Sequence, residues 1–170
     1  MNISTLEQRH DVQQAAQVLA ALAHAGLREP AIAADWTRRL VAGGSTSDIN
    51  ASYVGDIPYS EAQDILQHTL NRLRPDTRDM WDVRGIWNAQ QAYDVTRAVD
   101  DFLLYYLNSI DSLYLGADGR LHDPTGHGFD DADTKTLRIN EYDHKNGRTP
   151  TASEEVNVCL ENCRRIAKFG

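Results

Sequence analysis

The chain has 170 residues and a net charge of −8, and its shares of hydrophobic (41%) and charged (25%) residues are close to those of globular proteins. These values predict one domain with a hydrophobic core, and they exclude a disordered chain. No apolar stretch approaches the about 20 residues of a transmembrane helix, and the acidic charge argues against a broad basic surface for nucleic acid. The N-terminus lacks the basic start and apolar run of a signal peptide, which predicts a cytoplasmic protein.

Hydrophobic spacing predicts alternating helices and strands in the first half of the chain. Apolar residues recur every three or four positions in the helical segments, and larger residues alternate with small or polar ones in the strands. A serine or threonine, Ser4 or Thr5, is placed to cap the first helix. In chain order we predict a helix over 4–27, a buried strand over 31–34, a helix over 36–41, a strand over 48–54 and a helix over 59–73.

The second half continues this alternation. We predict a strand over 80–88, a long helix over 89–107, a hairpin over 112–122, a short acidic helix after the loop at 123–128, an apolar segment over 137–139 and a final helix over 153–169. The hairpin turn contains Asp118-Gly119, a pair that tolerates positive φ. Helices and strands interleave without internal repeats, and no linker divides the chain. The sequence therefore predicts a single α+β domain over residues 1–170.

Several short motifs occur in an order that matches one known family. Residues 33–40 precede Asp48-Ile49-Asn50, Asp101-Phe102 precedes 108–110, and 118–126 precede 137–139 and then a C-terminal segment that starts at Glu154-Glu155. In this order the motifs, from about residue 29 to residue 170, resemble the head domain of class II tRNA nucleotidyltransferases (CCA-adding enzymes) and bacterial poly(A) polymerases. The resemblance implies a nucleotidyltransferase head of the polymerase β type, with a short mixed sheet flanked by helices and residues 152–170 as a truncated neck-like helix.

The resemblance also implies a magnesium-dependent transfer of a nucleoside monophosphate from an NTP to an RNA end or another hydroxyl. Carboxylates supply the hard oxygen ligands that magnesium prefers, and residues i and i+2 of a strand share one face. Asp48, Asn50 and Asp82 are the implied catalytic and metal-binding residues. The implied nucleotide-binding residues are Ala34, Asp35, Arg38, Asp101, Asn108, Glu154 and Glu155.

The sequence departs from the family pattern at its central motifs. Asn50 replaces the second aspartate of the strand motif, and Ala34-Asp35 replace the phosphate-cradling glycine pair. Val158 stands where the family has a base-reading arginine, and the chain ends where family enzymes continue into further domains. An alternative function is therefore a catalytically degenerate module that binds a protein partner or a nucleotide. The expected partners are a nucleotide and either RNA or a protein, with no membrane.

Other features admit a structural interpretation beside a functional one. His122 and His127 flank an aspartate and suggest a metal loop, but solvent exposure or backbone hydrogen bonding is the more common state of such histidines. Trp81 and Tyr114 belong to an aromatic-rich region that is typical either of core packing or of a base-stacking surface. Gly43-Gly44 offers a second candidate for the phosphate loop, although only four positions separate Gly44 from Asp48, which leaves no room for the helix that should intervene and favours a tight turn. If the Asp48 segment proved helical, an unrelated helical interaction module would follow.

Overall fold

The computed structural model of the protein describes residues 2–44, 48–55, 57–85, 108–136 and 138, except for the side chain of Arg84. The elements are α1 (Ile3–Glu7), α2 (His10–His24), β1 (Arg28–Ala33), α3 (Asp35–Val41), β2 (Ile49–Val54), α4 (Tyr59–Leu73), a 3₁₀ turn (Arg78–Met80), β3 (Trp81–Gly85), β4 (Tyr114–Gly116), β5 (Leu121–His122) and α5 (Gly128–Thr134). Apart from the first predicted helix, the predicted helices and strands within these ranges are confirmed, most of them to within one or two residues at each end.

The strands form a mixed five-stranded sheet in the order β3-β2-β1-β4-β5. β1 runs antiparallel to both of its neighbours, whereas β2 and β3 are parallel and are joined through α4. Parallel strands need a long crossover of this kind, while β4 and β5 form the predicted antiparallel hairpin with Gly119 at φ 76°. The α+β class predicted from the sequence is confirmed.

One face of the sheet is buried against α2 and α4. Because β2 alternates in side-chain direction, Ile49, Ala51 and Tyr53 enter the core while Asn50 lies on the opposite face and is exposed. The fully buried large side chains are Leu19, Leu22, Leu27, Ile32, Trp36, Leu40, Tyr53, Leu66, Leu70, Leu113 and Leu115. Each such side chain contributes about 1.5–3 kcal/mol of hydrophobic free energy, so this core fixes the sheet that carries the site.

The first predicted helix is in fact two helices, so the prediction of one helix over 4–27 was wrong in this respect. α1 ends at Glu7 and α2 begins at His10, and Asn2 rather than Ser4 or Thr5 caps α1, accepting from the Thr5 N–H at 3.4 Å. The Glu7 carboxylate accepts from the Leu121 N–H at 3.0 Å. The break lets α1 turn toward β5, which lies 114 residues away in sequence. The spacing of hydrophobic residues does not predict that contact.

The remaining sequence predictions lie outside the described residues. They are the strand beyond residue 85, the long helix over 89–107 and the final neck-like helix over 152–170. Of the segment 137–139 only Arg138 is described, where it lies outside any strand and its carbonyl accepts from the Ser109 N–H at 3.1 Å. Within the described ranges, every helix is too short or too polar to cross a membrane.

Candidate functional site

The strand register places the predicted site residues at one end of the sheet. β1 finishes at Ala33, which is paired with Tyr114 at the start of β4. β2 runs antiparallel to β1, and β3 starts in register with β2 through the pair Ile49 and Trp81. The carboxyl end of β1 therefore meets the amino ends of β2, β3 and β4. This end also carries the transition from β1 through Ala34 into α3.

Asn50 and Asp82 are paired neighbours on β2 and β3, on the sheet face opposite the core. The register thus brings two of the three predicted metal-binding residues together. Asp48 lies directly before β2 and is exposed, with its backbone at φ 55°. The extended alternation starts only at Ile49, so the expectation that Asp48 and Asn50 share a face by simple i, i+2 spacing does not apply. A left-handed backbone, which aspartate tolerates well, sets the orientation of Asp48 instead.

Residues of α4 orient the Asp82 carboxylate. Its Oδ1 atom accepts hydrogen bonds from the Gln63 side-chain amide, from the Val83 N–H at 2.9 Å and from the Tyr59 hydroxyl at 3.3 Å. The Gln63 amide also lies 3.0 Å from the Tyr59 hydroxyl. Sequence reasoning missed Gln63 and Tyr59. Their spacing of one helical turn is the only signal that could have paired them, and it does not identify a partner on β3.

Three side chains at this end of the sheet carry oxygen atoms of the types that bind hard divalent cations. Asp48 and Asp82 offer carboxylates and Asn50 offers an amide oxygen, the ligand types that Mg²⁺ accepts. Within the described residues, no three histidine, cysteine, aspartate or glutamate side chains are grouped closely enough to hold a metal ion. A metal site here would therefore depend on the Asn50 amide in addition to the Asp48 and Asp82 carboxylates, and it stays a prediction.

A second cluster of site residues surrounds Arg38 on α3. The Arg38 guanidinium donates to the carboxylates of Asp35 and Asp111, and Arg39 Nε lies 2.8 Å from the second Asp35 oxygen. Asn108 holds Asp111 in place, because its side-chain amide donates to Asp111 Oδ2 at 2.9 Å and its Oδ1 accepts from the Asp111 N–H at 2.9 Å. The structure thus brings together Asp35, Arg38 and Asn108, three of the predicted nucleotide-binding residues.

Asp111 is the member of this cluster that the sequence analysis missed. Its side chain is only 2% exposed, and an aspartate buried this deeply requires a positively charged partner. The partner, Arg38, lies 73 residues earlier in the chain. The local signal is the spacing of three residues from Asn108, which is also common in ordinary turns.

The backbone at Ala34 keeps a conformation that normally belongs to glycine. Its φ of 57° and ψ of −116° lie in a region that side-chain-bearing residues rarely adopt. Its carbonyl accepts from the Arg38 N–H at 2.9 Å and from the Thr37 hydroxyl at 3.1 Å, which starts α3. The turn into α3 is therefore of the glycine type, although the glycine itself is absent.

The structure shows where the residues lie for which the sequence left two interpretations open. Gly43, at φ 75°, terminates α3, and the Gly44 N–H donates to the Arg39 carbonyl at 2.9 Å, so this pair forms a tight turn. His122 stacks on Tyr114 with ring centroids 4.6 Å apart and lies 3.0 Å from Asp118 Oδ1. Trp81 and Tyr114 are buried, which supports the core-packing interpretation for these two residues. The Asp48 segment is a strand, so the helical interaction module is excluded.

The short acidic helix predicted after the loop at 123–128 includes a buried carboxylate. Asp130 and Asp131 do lie in the first turn of α5. Burial alone would raise the pKa of Asp131, but hydrogen bonds from the Ser109 hydroxyl at 2.5 Å and from Arg138 at 3.1 Å hold that pKa below its ordinary value. Asp131 therefore anchors α5 to the segment that precedes β4.

Three predicted nucleotide-binding residues, Asp101, Glu154 and Glu155, lie outside the described residues. Their roles stay predictions.

Comparisons with known proteins find matches by structure and none by sequence. No family model matches the sequence, and no curated protein matches it significantly. A CCA-adding enzyme in complex with CTP superimposes with a TM-score of 0.58 at 13% identity, covering 82% of this chain and 37% of that enzyme. The Thermotoga maritima CCA-adding enzyme complexed with tRNA gives 0.57 at 13% identity, covering 82% of this chain and 36% of that enzyme.

The chain thus spans little more than a third of those enzymes. A third structure, determined by NMR and described as a CCA-adding enzyme head domain, matches nearly end to end. It covers 95% of this chain and 91% of its own, with a TM-score of 0.53 and 15% identity. The fold that the sequence resemblance implied is confirmed: this chain has the nucleotidyltransferase fold of a CCA-adding enzyme head domain.

Proposed function

We propose that the protein is a minimal template-independent nucleotidyltransferase that transfers a nucleoside monophosphate from an NTP to an RNA end or another hydroxyl. The observation that carries the proposal is the register of β2 and β3, which pairs Asn50 with Asp82 on the sheet face opposite the core. The same sheet end holds Asp48 and the glycine-type turn at Ala34. The similar enzyme structure solved with CTP supports a nucleotide as substrate.

Asp48, Asn50 and Asp82 would hold the magnesium ion. When bound, magnesium neutralises phosphate charge and polarises the phosphorus centre toward attack. The chain's own contribution is orientation: Gln63 and Tyr59 fix one oxygen of Asp82, and α3 presents the Arg38 guanidinium beside the turn. The acceptor hydroxyl releases its proton to solvent, and its oxygen forms a bond to the α-phosphorus as the bond from that phosphorus to pyrophosphate breaks. In-line transfer of this kind depends mainly on positioning and electrostatics.

Asn50 tunes the charge of this site. An amide oxygen can ligate a hard cation but adds no negative charge, so metal affinity is expected to be lower than with a second aspartate. Asn50→Asp should therefore strengthen magnesium-dependent NTP binding, by about tenfold if the added carboxylate contributes about 1.4 kcal/mol.

The first test is a calorimetric titration of the protein with each NTP in the presence of magnesium. We expect binding that disappears without magnesium and in Asp48→Ala. Asp64→Ala, which removes one exposed carboxylate from α4, is the matched control and should bind as the unaltered protein does. Absence of binding for all four NTPs at millimolar concentration would contradict the proposed enzyme. A transfer assay with labelled NTP and short RNA acceptors follows only if binding is found.

A second candidate function is a non-catalytic module that binds a protein or a nucleotide. The observation that favours it is that Arg38 forms ion pairs with two carboxylates of the chain itself, Asp35 and Asp111. An arginine that binds phosphate would direct its guanidinium toward the ligand instead. NTP binding that persists without magnesium and in Asp48→Ala would support the module over the enzyme.

A further inference from the structure

The Asp35 carboxylate bridges two guanidinium groups. One of its oxygens accepts from Arg38, and the other lies 2.8 Å from Arg39 Nε. A phosphate group bound between two arginines uses its oxygens in the same manner, because a guanidinium recognises carboxylate and phosphate through the same planar array of N–H donors. Asp35 therefore accepts a hydrogen bond from Arg38 and lies in ion-pair contact with Arg39, at two guanidinium groups that an anionic ligand would use.

The charge and burial of these side chains determine how an anionic ligand would compete with Asp35. Arg38 and Arg39 carry two positive charges, and the carboxylates of Asp35 and Asp111 lie against them. The Arg38 side chain is 17% exposed and the Asp111 side chain 2%, so that pair is internal. The Asp35 side chain is 48% exposed and lies on the solvent side of the cluster. An anion that approaches from solvent thus meets Asp35 first.

The position of Asp35 ties the cluster to the glycine-type turn. Asp35 follows Ala34 directly, at the first residue of α3. Removing the charge of Asp35 would make the cluster more positive by one unit beside that turn. A polyphosphate is the ligand class whose charge and oxygen geometry match these two guanidinium groups.

We propose that Asp35 is an internal competitor of polyphosphate, which occupies the Arg38–Arg39 pair and lowers its affinity for the phosphate tail of a nucleotide. The inference rests on the proposed function in one respect, namely that the phosphate tail binds at this end of the sheet. It makes Asp35 the residue that sets the affinity of the site, with Arg38 and Arg39 as the groups it covers.

The experiment is a calorimetric titration with inorganic tripolyphosphate in the absence of divalent cations. This probe has no base and needs no metal, so it reports on the guanidinium pair and not on Asp48, Asn50 or Asp82. We expect Asp35→Asn to bind tripolyphosphate about tenfold more tightly than the unaltered protein, since one competing charge-assisted contact is removed. Equal or weaker binding by Asp35→Asn would overturn the proposal.

The controls distinguish the loss of the Asp35 contact from a change in net charge and from a loss of helix stability. Asp130→Asn removes the same charge from the first turn of α5, another seven-residue helix, and should leave tripolyphosphate binding unchanged. Arg39→Gln added to Asp35→Asn should abolish most of the gain. If Asp35→Asn has a lower melting temperature than the unaltered protein, Asp35→Ser repeats the test with a smaller side chain. A gain of equal size in Asp130→Asn would assign the effect to net charge and would contradict the proposal.

The two proposals fail in different ways. If the unaltered protein binds NTP through magnesium and Asp48 but Asp35→Asn gains nothing, the internal competitor is wrong and the enzyme stands. If no NTP binds the unaltered protein but Asp35→Asn binds tripolyphosphate tightly, the internal competitor stands and the enzyme is contradicted.

Discussion

Ala34 is a single residue at which backbone strain and the site coincide. Its φ of 57° and ψ of −116° suit glycine, and holding a residue with a Cβ there costs of order 1–3 kcal/mol. The core around β1 and the start of α3 impose this conformation. Replacing Ala34 with glycine should stabilise the fold, because the strain relieved in the folded state exceeds the backbone entropy that glycine adds to the unfolded chain.

We therefore predict that Ala34→Gly raises the free energy of unfolding by about 1 kcal/mol, measured by urea denaturation monitored by circular dichroism. Ala33→Gly, one residue earlier within β1, is the control and should lower it by roughly 0.5–1 kcal/mol. If both variants lose stability equally, the backbone at Ala34 is not strained.

At the scale of one element, α5 is placed by a close approach of its first residue. A Cβ built on Gly128 would lie 2.6 Å from the Ser109 carbonyl oxygen and 2.7 Å from Leu113 Cδ2. That approach allows the Ser109 hydroxyl to reach Asp131 one turn further along α5. Glycine is required here for space, since Gly128 is not among the residues with positive φ.

We predict that Gly128→Ala lowers the free energy of unfolding by about 1–3 kcal/mol, because backbone must shift to admit the methyl group. Gly126→Ala is the comparison: its Cβ would meet open space, and only its φ of 70° opposes a side chain. The loss at residue 128 should be the larger in chemical denaturation, and the reverse order would show that α5 docks more loosely than the structure indicates.

At the scale of the whole molecule, three aspartates link stability to pH. Burial would raise the pKa of Asp11, Asp118 and Asp131, but hydrogen bonds and nearby positive groups, chiefly Arg9, His122, and Ser109 with Arg138, hold each pKa below its ordinary value. A carboxyl whose pKa is depressed by folding stabilises the protein above its unfolded pKa of about 4. That contribution is lost as the pH falls through the lower, folded value.

We predict a melting temperature that is insensitive to these groups above about pH 5 and falls steadily below about pH 4. Asp131→Asn should lower the melting temperature near neutral pH and flatten its fall in acid, because the most buried of the three groups no longer titrates. Differential scanning calorimetry from pH 2 to 7, with the exposed Asp130→Asn as control, checks this. An unchanged acid slope in Asp131→Asn would contradict it.

Local patterns predict much of this molecule. The helices α3 and α4, the strands β1 and β2 and the β4–β5 hairpin follow from apolar spacing, glycine stops and turn residues, all of which act over a few positions. The order of short motifs was enough to imply the head-domain fold. The same resemblance implied Asp48, Asn50 and Asp82 as candidate metal-binding residues, and that role stays a prediction.

Only the tertiary structure decided what those residues touch. The sequence placed Arg38 at a phosphate, whereas the fold brings Asp111 and Asp35 against it, and Gln63 against Asp82. The break between α1 and α2 likewise depends on a contact between Glu7 and β5. Such contacts join residues that lie far apart in the chain, so no local pattern records them. The sequence by itself determined the elements and the candidate residues, and long-range packing determined the partners and the charge balance of the site.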